Sequence, residues 1–369
     1  MRHPLQPFDA RNFVAGELGE AGPFSFDHAS YDGVRALLGP REPRGPFLTA
    51  PLPDVDATEV VALDALVRFL EHPVRGFLRQ RLGLTSVDEG EEADDTIPVQ
   101  VKGLPEWAVG DRLLRAGLGG ADPAGAVRAE RLRGELPPGA LGDAIVAPLA
   151  DRVAVLVDKT VGLRAGDVEA LDVTVDLGDG LRLAGTVPGV HGDRVVRVEY
   201  SRLSAKHRIR SWLHVLALTA SRPGRDWCAA TVGRGGNDPV MSALTAPTPD
   251  EARTILTTLV RLHRTGLSEP LPLAPKTSCA YAELRAKGSP PKAAEARAAG
   301  EWRKQLSDGR EFGDFDDAEH LTVWGSSSLR DLLRQPARSA EAFDDEPHRF
   351  GQLARQVFGP LLEHEGMHS

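Results

Sequence analysis

Apolar and polar residues alternate along Leu171–Leu177, where Leu171, Val173, Val175 and Leu177 are separated by Asp172, Thr174 and Asp176. This is the two-residue period of a strand with one buried face. Gly178-Asp179-Gly180 supplies residues that tolerate positive φ and predicts a hairpin turn. A second strand follows, with Leu181, Leu183, Gly185 and Val187 alternating with Arg182, Ala184 and Thr186. After His191-Gly192-Asp193 a third strand sets Val196, Val198 and Tyr200 on one face and Arg197 and Glu199 on the other. The period then becomes helical. Ser204 can cap a helix with the apolar stripe Ile209, Trp212, Leu213, Leu216 and Ala220, and Lys206 and Arg210 fall on its opposite side. Val168–Ala220 therefore reads as three strands and an amphipathic helix, the kernel of an α/β fold.

Helical spacing also begins after Thr58, with Val60, Leu63, Leu66, Val67 and Leu70 on one face. His72-Pro73 breaks it, and a second helix carries Val74, Phe77, Leu78 and Leu82 to Gly83, with Arg75, Arg79 and Arg81 clustered on it as a solvated face. Gly110–Leu114 and Ala124–Leu132 are helical, Gly134–Gly139 is a loop, and the Asp151–Leu163 segment leads into the strands. Beyond the kernel, Trp227–Val232 predicts a fourth strand, and Pro249–Thr265, Ala280–Arg285, Lys292–Gln305 and Leu353–Leu362 predict helices. Asp88–Asp95 and Gly313–His320 read as solvated acidic loops that would repel nucleic acid. Pro40–Pro53 is rich in Pro, Gly and Arg and reads as a linker. Leu5, Phe8 and Phe13 are apolar anchors of an extended stretch that lies on a surface. The predicted organisation is an extended leading segment and linker over 1–55, then one large domain over 56–369.

The composition narrows the function classes. At 41% hydrophobic and 26% charged, the 369 residues have the balance of a soluble globular protein. No apolar run reaches the length of a membrane span and no signal-peptide pattern opens the chain, so a cytoplasmic location is expected. Two cysteines, Cys228 and Cys279, exclude a disulfide framework, a four-cysteine zinc site and an iron–sulfur cluster. A net charge of −9 argues for local rather than global contact with nucleic acid. No Gly-rich loop ends in Gly-Lys-Ser/Thr, so ATP binding is not expected.

A strand ending in Gly-x-x-Asp, a strand ending in Asp/Glu-x-Lys and then a helix form the core of the PD-(D/E)xK nucleases. Two carboxylates on neighbouring strand ends hold Mg²⁺, which polarises a phosphate, while the lysine positions water. The frame here resembles that core, but its chemistry is missing. Pro188 follows Gly185-Thr186-Val187 where the first Asp would stand, and Ser201 follows Glu199-Tyr200 where the Lys would stand. Glu199 is left without a second carboxylate or a lysine. The expectation is an α/β fold of PD-(D/E)xK (restriction-endonuclease-like) type, catalytically degenerate, with extra helices. No catalytic residue and no bound metal are expected.

The chain also resembles the C-terminal region of RecC, the gamma chain of exodeoxyribonuclease V (the RecBCD helicase–nuclease), in its actinobacterial form. The resemblance rests on Arg2-His3-Pro4-Leu5-Gln6-Pro7-Phe8, on Phe69–Leu82 with its His72-Pro73 junction, and on Gly110-Asp111-Arg112-Leu113-Leu114. Arg133–Gly139, Leu183–Pro188, Arg210-Ser211-Trp212-Leu213 and Phe350–Leu362 complete it. Phe69–Leu82 is the most specific of these stretches. The resemblance implies a nuclease-like domain without nuclease activity inside a larger ATP-dependent exonuclease and helicase. There it holds RecB-like and RecD-like subunits and guides strands separated from a DNA end, in double-strand-break repair by recombination. ATP and Mg²⁺ would be used by the partner subunits, not by this chain. RecC proteins are much longer, and reading of the recombination hotspot belongs to domains that precede this one. The resemblance also accounts for His72: active relatives with an iron–sulfur clamp have Cys-Pro at this junction.

The basic residues Arg194, Arg197, Arg202, Lys206, Arg208 and Arg210, offset only by Glu199, are the candidate DNA contacts. Such a set would touch phosphates without reading sequence; an ordinary solvated helix face is the plain alternative. Asp172, Asp176, Asp179 and Asp193 read as turn and solvent-face residues, and His72, His191, His207 and His214 as core or surface residues without ligand spacing. Two other functions stay open: an active Mg²⁺-dependent PD-(D/E)xK exonuclease whose catalytic residues have migrated, and a protein–protein module without DNA contact.

Overall fold

The computed structural model describes residues 4–19, 21–40, 45–53, 60–84, 103–236, 238–305, 311–325, 328–339 and 341–368. The acidic stretch Asp88–Asp95 and the residues Arg2 and His3 lie outside them. The chain divides into two units, Met1–Pro46 and Phe47–Ser369, and the division falls inside the stretch read as a linker.

The first unit is not extended throughout, as its sequence suggested. It carries helix α1 (His28–Leu38), capped by the Asp27 carboxylate, which accepts the backbone N–H groups of Ala29 and Ser30. Phe13 and Tyr31 meet ring to ring at 5.5 Å. Leu5, expected to anchor, is 99% exposed.

The second unit begins with a short strand, β1 (Val60–Ala62), where helical spacing had been read, and helix α2 (Leu63–Glu71) starts only at Leu63. The break at His72-Pro73 is real: α3 (Pro73–Gly76) opens on Pro73 with the His72 ring nitrogen Nδ1 accepting from the Arg75 N–H, and Phe77–Arg81 continue as a π-helical turn. Helices α4 (Leu104–Leu118), α5 (Pro123–Leu132) and α6 (Ala140–Thr160) form one layer. Strands β2 (Glu169–Asp176), β3 (Arg182–His191) and β4 (Arg194–Arg202) and helix α7 (Ala205–Ser221) then appear in the order the sequence predicts. Strands β5 (Cys228–Arg234) and β6 (Pro239–Thr245) and helices α8 (Pro249–Ser268), α9 (Pro275–Ala286) and α10 (Pro291–Trp302) follow. The two-residue strands β7 (Lys304–Gln305) and β8 (Glu311–Phe312) pair with each other. Helices α11 (Ala318–Trp324), α12 (Leu329–Leu333) and α13 (Arg349–Glu363) and strand β9 (Glu365–His368) complete the described residues.

The main sheet is mixed, with β1, β3, β4, β5, β6 and β9 side by side and β2 on the other edge of β3. The β2–β3 hairpin turns through Gly178, Asp179 and Gly180, all at positive φ. Strands β3 and β4 pair only beside their turn, at Val190↔Val195 and His191↔Arg194. They then part, and β1 lies parallel against the far end of β3. Gly185 is obligatory there, because a Cβ would stand 2.8 Å from the Leu63 Cβ at the start of α2. Helix α7 is the crossover that makes β4 and β5 parallel.

Both faces of the sheet carry helices, the second only over β4–β6, and the outer residues of β2 and β3 stay exposed. On one, Leu66 and Leu70 of α2, Trp212 and Leu216 of α7 and Leu256 and Leu259 of α8 pack against Leu183, Val187 and Val195. On the other, Val109 and Leu113 of α4 and Val146 and Leu149 of α6 pack against Tyr200 and Val232. Helix α7 is therefore buried on nearly every side, not amphipathic as its sequence suggests.

Candidate functional site

Pro188, Glu199 and Ser201, the positions compared above with the nuclease pattern, lie on β3 and β4 but do not face one another. Val187 is buried beneath the α2 and α7 face, so by strand alternation the exposed Pro188 points to the other side of the sheet. Glu199 stands on the α7 side, where its carboxylate is 3.3 Å from the Arg197 guanidinium. Ser201 follows a register shift of β4 against β5 between Glu199 and Arg202, and its hydroxyl accepts the Trp107 indole N–H of α4 at 2.9 Å. The aspartates around the strands serve local structure: Asp172 accepts from the Thr186 hydroxyl, Asp176 caps the turn at Gly178, and Asp193 faces Arg225.

The six basic residues do not form one patch. Arg208, expected at the surface, is buried in the second turn of α7. Its guanidinium donates to Glu365 of β9 at 2.8 Å and to Glu283 of α9 at 2.8 Å. Burial opposes the charge, but Cys279, Glu365 and Glu283 together outweigh it and raise the Arg208 pKa. The reason is tertiary: α9 and β9 lie over the flank of α7 that the sequence left open. Arg210 is half-buried and forks onto the Glu71 carboxylate at the end of α2, with one contact of 2.6 Å. Arg197 lies under α7, where burial lowers its pKa against the opposing pull of Glu199, and among the described residues its Nε has no partner. Glu199 is therefore not the only offsetting acid; Glu71, Glu283 and Glu365 take part as well.

Arg194, Arg202 and Lys206 remain at or near the surface. Arg194 and Arg202 are at opposite ends of β4, about 26 Å apart along an extended strand. Lys206 lies in the first turn of α7, where Ser204 and the His207 ring Nδ1 close a capping box. His207 and His214 are buried under a positive field. Burial first, and then Arg197 and Arg210, push both pKa values down to about 3, and Lys206 adds to the effect on His207.

Lys206 also faces a cavity of about 430 Å³ that sequence reasoning did not foresee. Arg68, Arg75 and Arg79 line it from one side and Lys276 from the other. Its wall includes His72, Asp317 and His320. The His72 Nε2 is 2.8 Å from the Asp317 carboxylate, across 245 residues of sequence. Arg75 donates to Glu319 at 2.7 Å. Gly313–His320 is thus not a solvated loop. Asp314 accepts from the Thr277 N–H and hydroxyl, and burial pushes its pKa up. Asp317 caps α11.

Residues 58–286 match the family model of the RecC C-terminal domain, which spans α2 through α9. The chain belongs to the RecC C-terminal domain family. It is 43% identical, over 99% of its length, to the RecBCD enzyme subunit RecC of Mycolicibacterium smegmatis and covers 33% of that protein. The same subunit of Mycobacterium tuberculosis is 40% identical over 99% of this chain, and that of Escherichia coli is 28% identical over 76%. The chain spans about a third of the length of the mycobacterial RecC proteins it matches. Both β1 and the α2–α3 junction at His72-Pro73 lie within the matched RecC span, while Asp317 and His320 lie beyond it. Their only local signal was an acidic residue and a histidine three apart at a helix start; nothing near them in sequence pointed to His72.

Proposed function

We propose that this chain is the C-terminal part of a RecC-type subunit and a nuclease-like domain of PD-(D/E)xK type without nuclease activity. In this reading it scaffolds RecB-like and RecD-like subunits of a RecBCD-type helicase–nuclease and guides strands from a broken DNA end during repair by homologous recombination. The order β2, β3, β4, α7, β5, with β4 and β5 parallel, supports the nuclease-like fold. The observation that carries the non-catalytic reading is the surrounding of Glu199. Its nearest charged partner is Arg197, the lysine position is Ser201 under Trp107, and Pro188 points to the other face. Phosphodiester cleavage of this type requires carboxylates converging on a divalent ion. DNA contact is assigned to Lys206 and Arg202, with Arg68 and Arg79 lining the same cavity as Lys206; Arg208 is excluded by burial.

Incubation of the purified chain with linear DNA and Mg²⁺ tests the first half. No degradation is expected; degradation abolished by Glu199→Ala would establish the migrated-nuclease alternative instead. Filter binding at low salt tests the second half. Lys206→Glu and Arg202→Glu should weaken binding uniformly across sequences and flatten its salt dependence. Binding unchanged by both reversals, or absent in the unaltered chain, would favour a protein–protein module.

A further inference from the structure

We propose that His72, Asp317 and His320 form a binding site for one transition-metal ion of the Zn²⁺ class, which pins α3 to α11 at the wall of the cavity. Each residue offers one ligand atom, and the three atoms lie within 4.8 Å of one another. Tetrahedral Zn²⁺ holds nitrogen and oxygen ligands at 2.0–2.2 Å, which sets its ligand atoms about 3.3 Å apart. The His72–Asp317 pair at 2.8 Å needs to open slightly, and His320 to close by on the order of 1 Å. The cavity beside them has space for a water as the remaining ligand.

A second observation points independently to a missing partner. His320 is 2% exposed, lines the cavity, and its Nδ1 makes no hydrogen bond among the described residues. A buried ring nitrogen in that state is costly unless something takes it. Asp317 is already oriented, since one oxygen accepts the His320 backbone N–H at 2.9 Å and leaves the other facing His72.

The donor set selects the metal. Two imidazoles and one carboxylate suit Zn²⁺, Co²⁺ or Ni²⁺, whereas Mg²⁺ and Ca²⁺ require oxygen ligands. Arg75 stands 3.9 Å from Asp317 but is held by Glu319, and Lys276 faces Asp314 at 4.0 Å. Metal at the His72 Nε2 moves the proton of that nitrogen to Nδ1, and no proton leaves the ring. The cost is the capping bond from the Arg75 N–H, now 3.1 Å long.

The test uses the full 369-residue chain stripped of metal by a chelator. Titration with Zn²⁺ against a chromophoric competitor should give one equivalent bound, and Co²⁺ should give the visible spectrum of a four-coordinate nitrogen–oxygen site. His320→Ala and Asp317→Asn should each weaken Zn²⁺ by more than about tenfold, while Arg128→Gln, at an exposed position of α5, should leave it unchanged. X-ray absorption at the zinc edge of the unaltered chain should show two imidazoles and no sulfur, and it decides the matter alone if a variant fails to fold. No uptake by the unaltered chain, uptake that both variants retain, or a sulfur-containing shell from Cys228 or Cys279 would overturn the proposal.

Discussion

Replacing Arg208 by methionine should cost the fold about 3–5 kcal/mol, the range found when one partner of a buried ion pair is removed. The magnitude follows from what is left behind. The Arg208 side chain is 10% exposed and Glu365 only 2%, so the Glu365 carboxylate would keep a single bond, from the Ser242 hydroxyl at 2.5 Å. Glu283, at 35% exposed, can turn to water, so its share is on the order of 0–1 kcal/mol. Methionine fills much of the volume and isolates the electrostatic loss from a cavity effect. Urea unfolding at pH 7 measures the loss as a lower midpoint at unchanged slope. Removing the stranded acid as well, in Arg208→Met with Glu365→Leu, should restore part of it, with a coupling of about 1–3 kcal/mol. A single variant within about 0.5 kcal/mol of the parent would refute the buried-network account and return Arg208 to the surface.

Acid should destabilise the chain in a defined window. His207 and His214 have folded pKa values of about 3 against 6.5 for the ordinary group, so the unfolded state binds more protons below pH 6.5. Their stability contribution is complete above that pH and is lost as pH falls from about 6.5 toward about 3, by about 2 kcal/mol per histidine between pH 7 and 5. Urea midpoints that do not fall between those pH values would contradict it. Gly110→Ala should destabilise by about 1–3 kcal/mol, because the added Cβ would stand 2.0 Å from the Tyr200 ring. Thermal unfolding of that variant at parental Tm would mean α4 does not press on β4 as described.

The part of the fold that was legible is the part whose signals are local. Leu171–Leu177, the Gly178-Asp179-Gly180 turn and the strand through Tyr200 carry their period and their turn chemistry within a few residues. Strand β1 was misread because three residues cannot display a period, and Val60 continues the helical spacing of Leu63 and Leu66. Strand β9 exists through its pairing with β6, so nothing inside its four residues announces it. The site failed for the same reason. Arg208 sits on the flank of α7 that a helical wheel marks as polar, and only the arrival of α9 and β9 makes that flank interior. His72 and Asp317 are brought together by the docking of α11 on α3, a contact no spacing rule encodes.

The surroundings of Glu199 show how half-buried acids on this sheet are balanced without a metal ion in the proposed nuclease-like reading. Two half-buried acids in one region repel each other and are costly to desolvate, so a cation is needed nearby whether or not chemistry occurs. Here the cations are guanidinium groups: Arg197 on Glu199 and Arg210 on Glu71, with Arg210 also felt by Glu199. A guanidinium neutralises a carboxylate and fixes its direction through paired N–H donors. It has no open coordination position, so it cannot polarise a phosphate or deliver a hydroxide. Pro188→Asp or Ser201→Lys would then not create a metal site, because the first would point to the other face of the sheet and the second would meet Trp107, while Arg197 would still pair with Glu199.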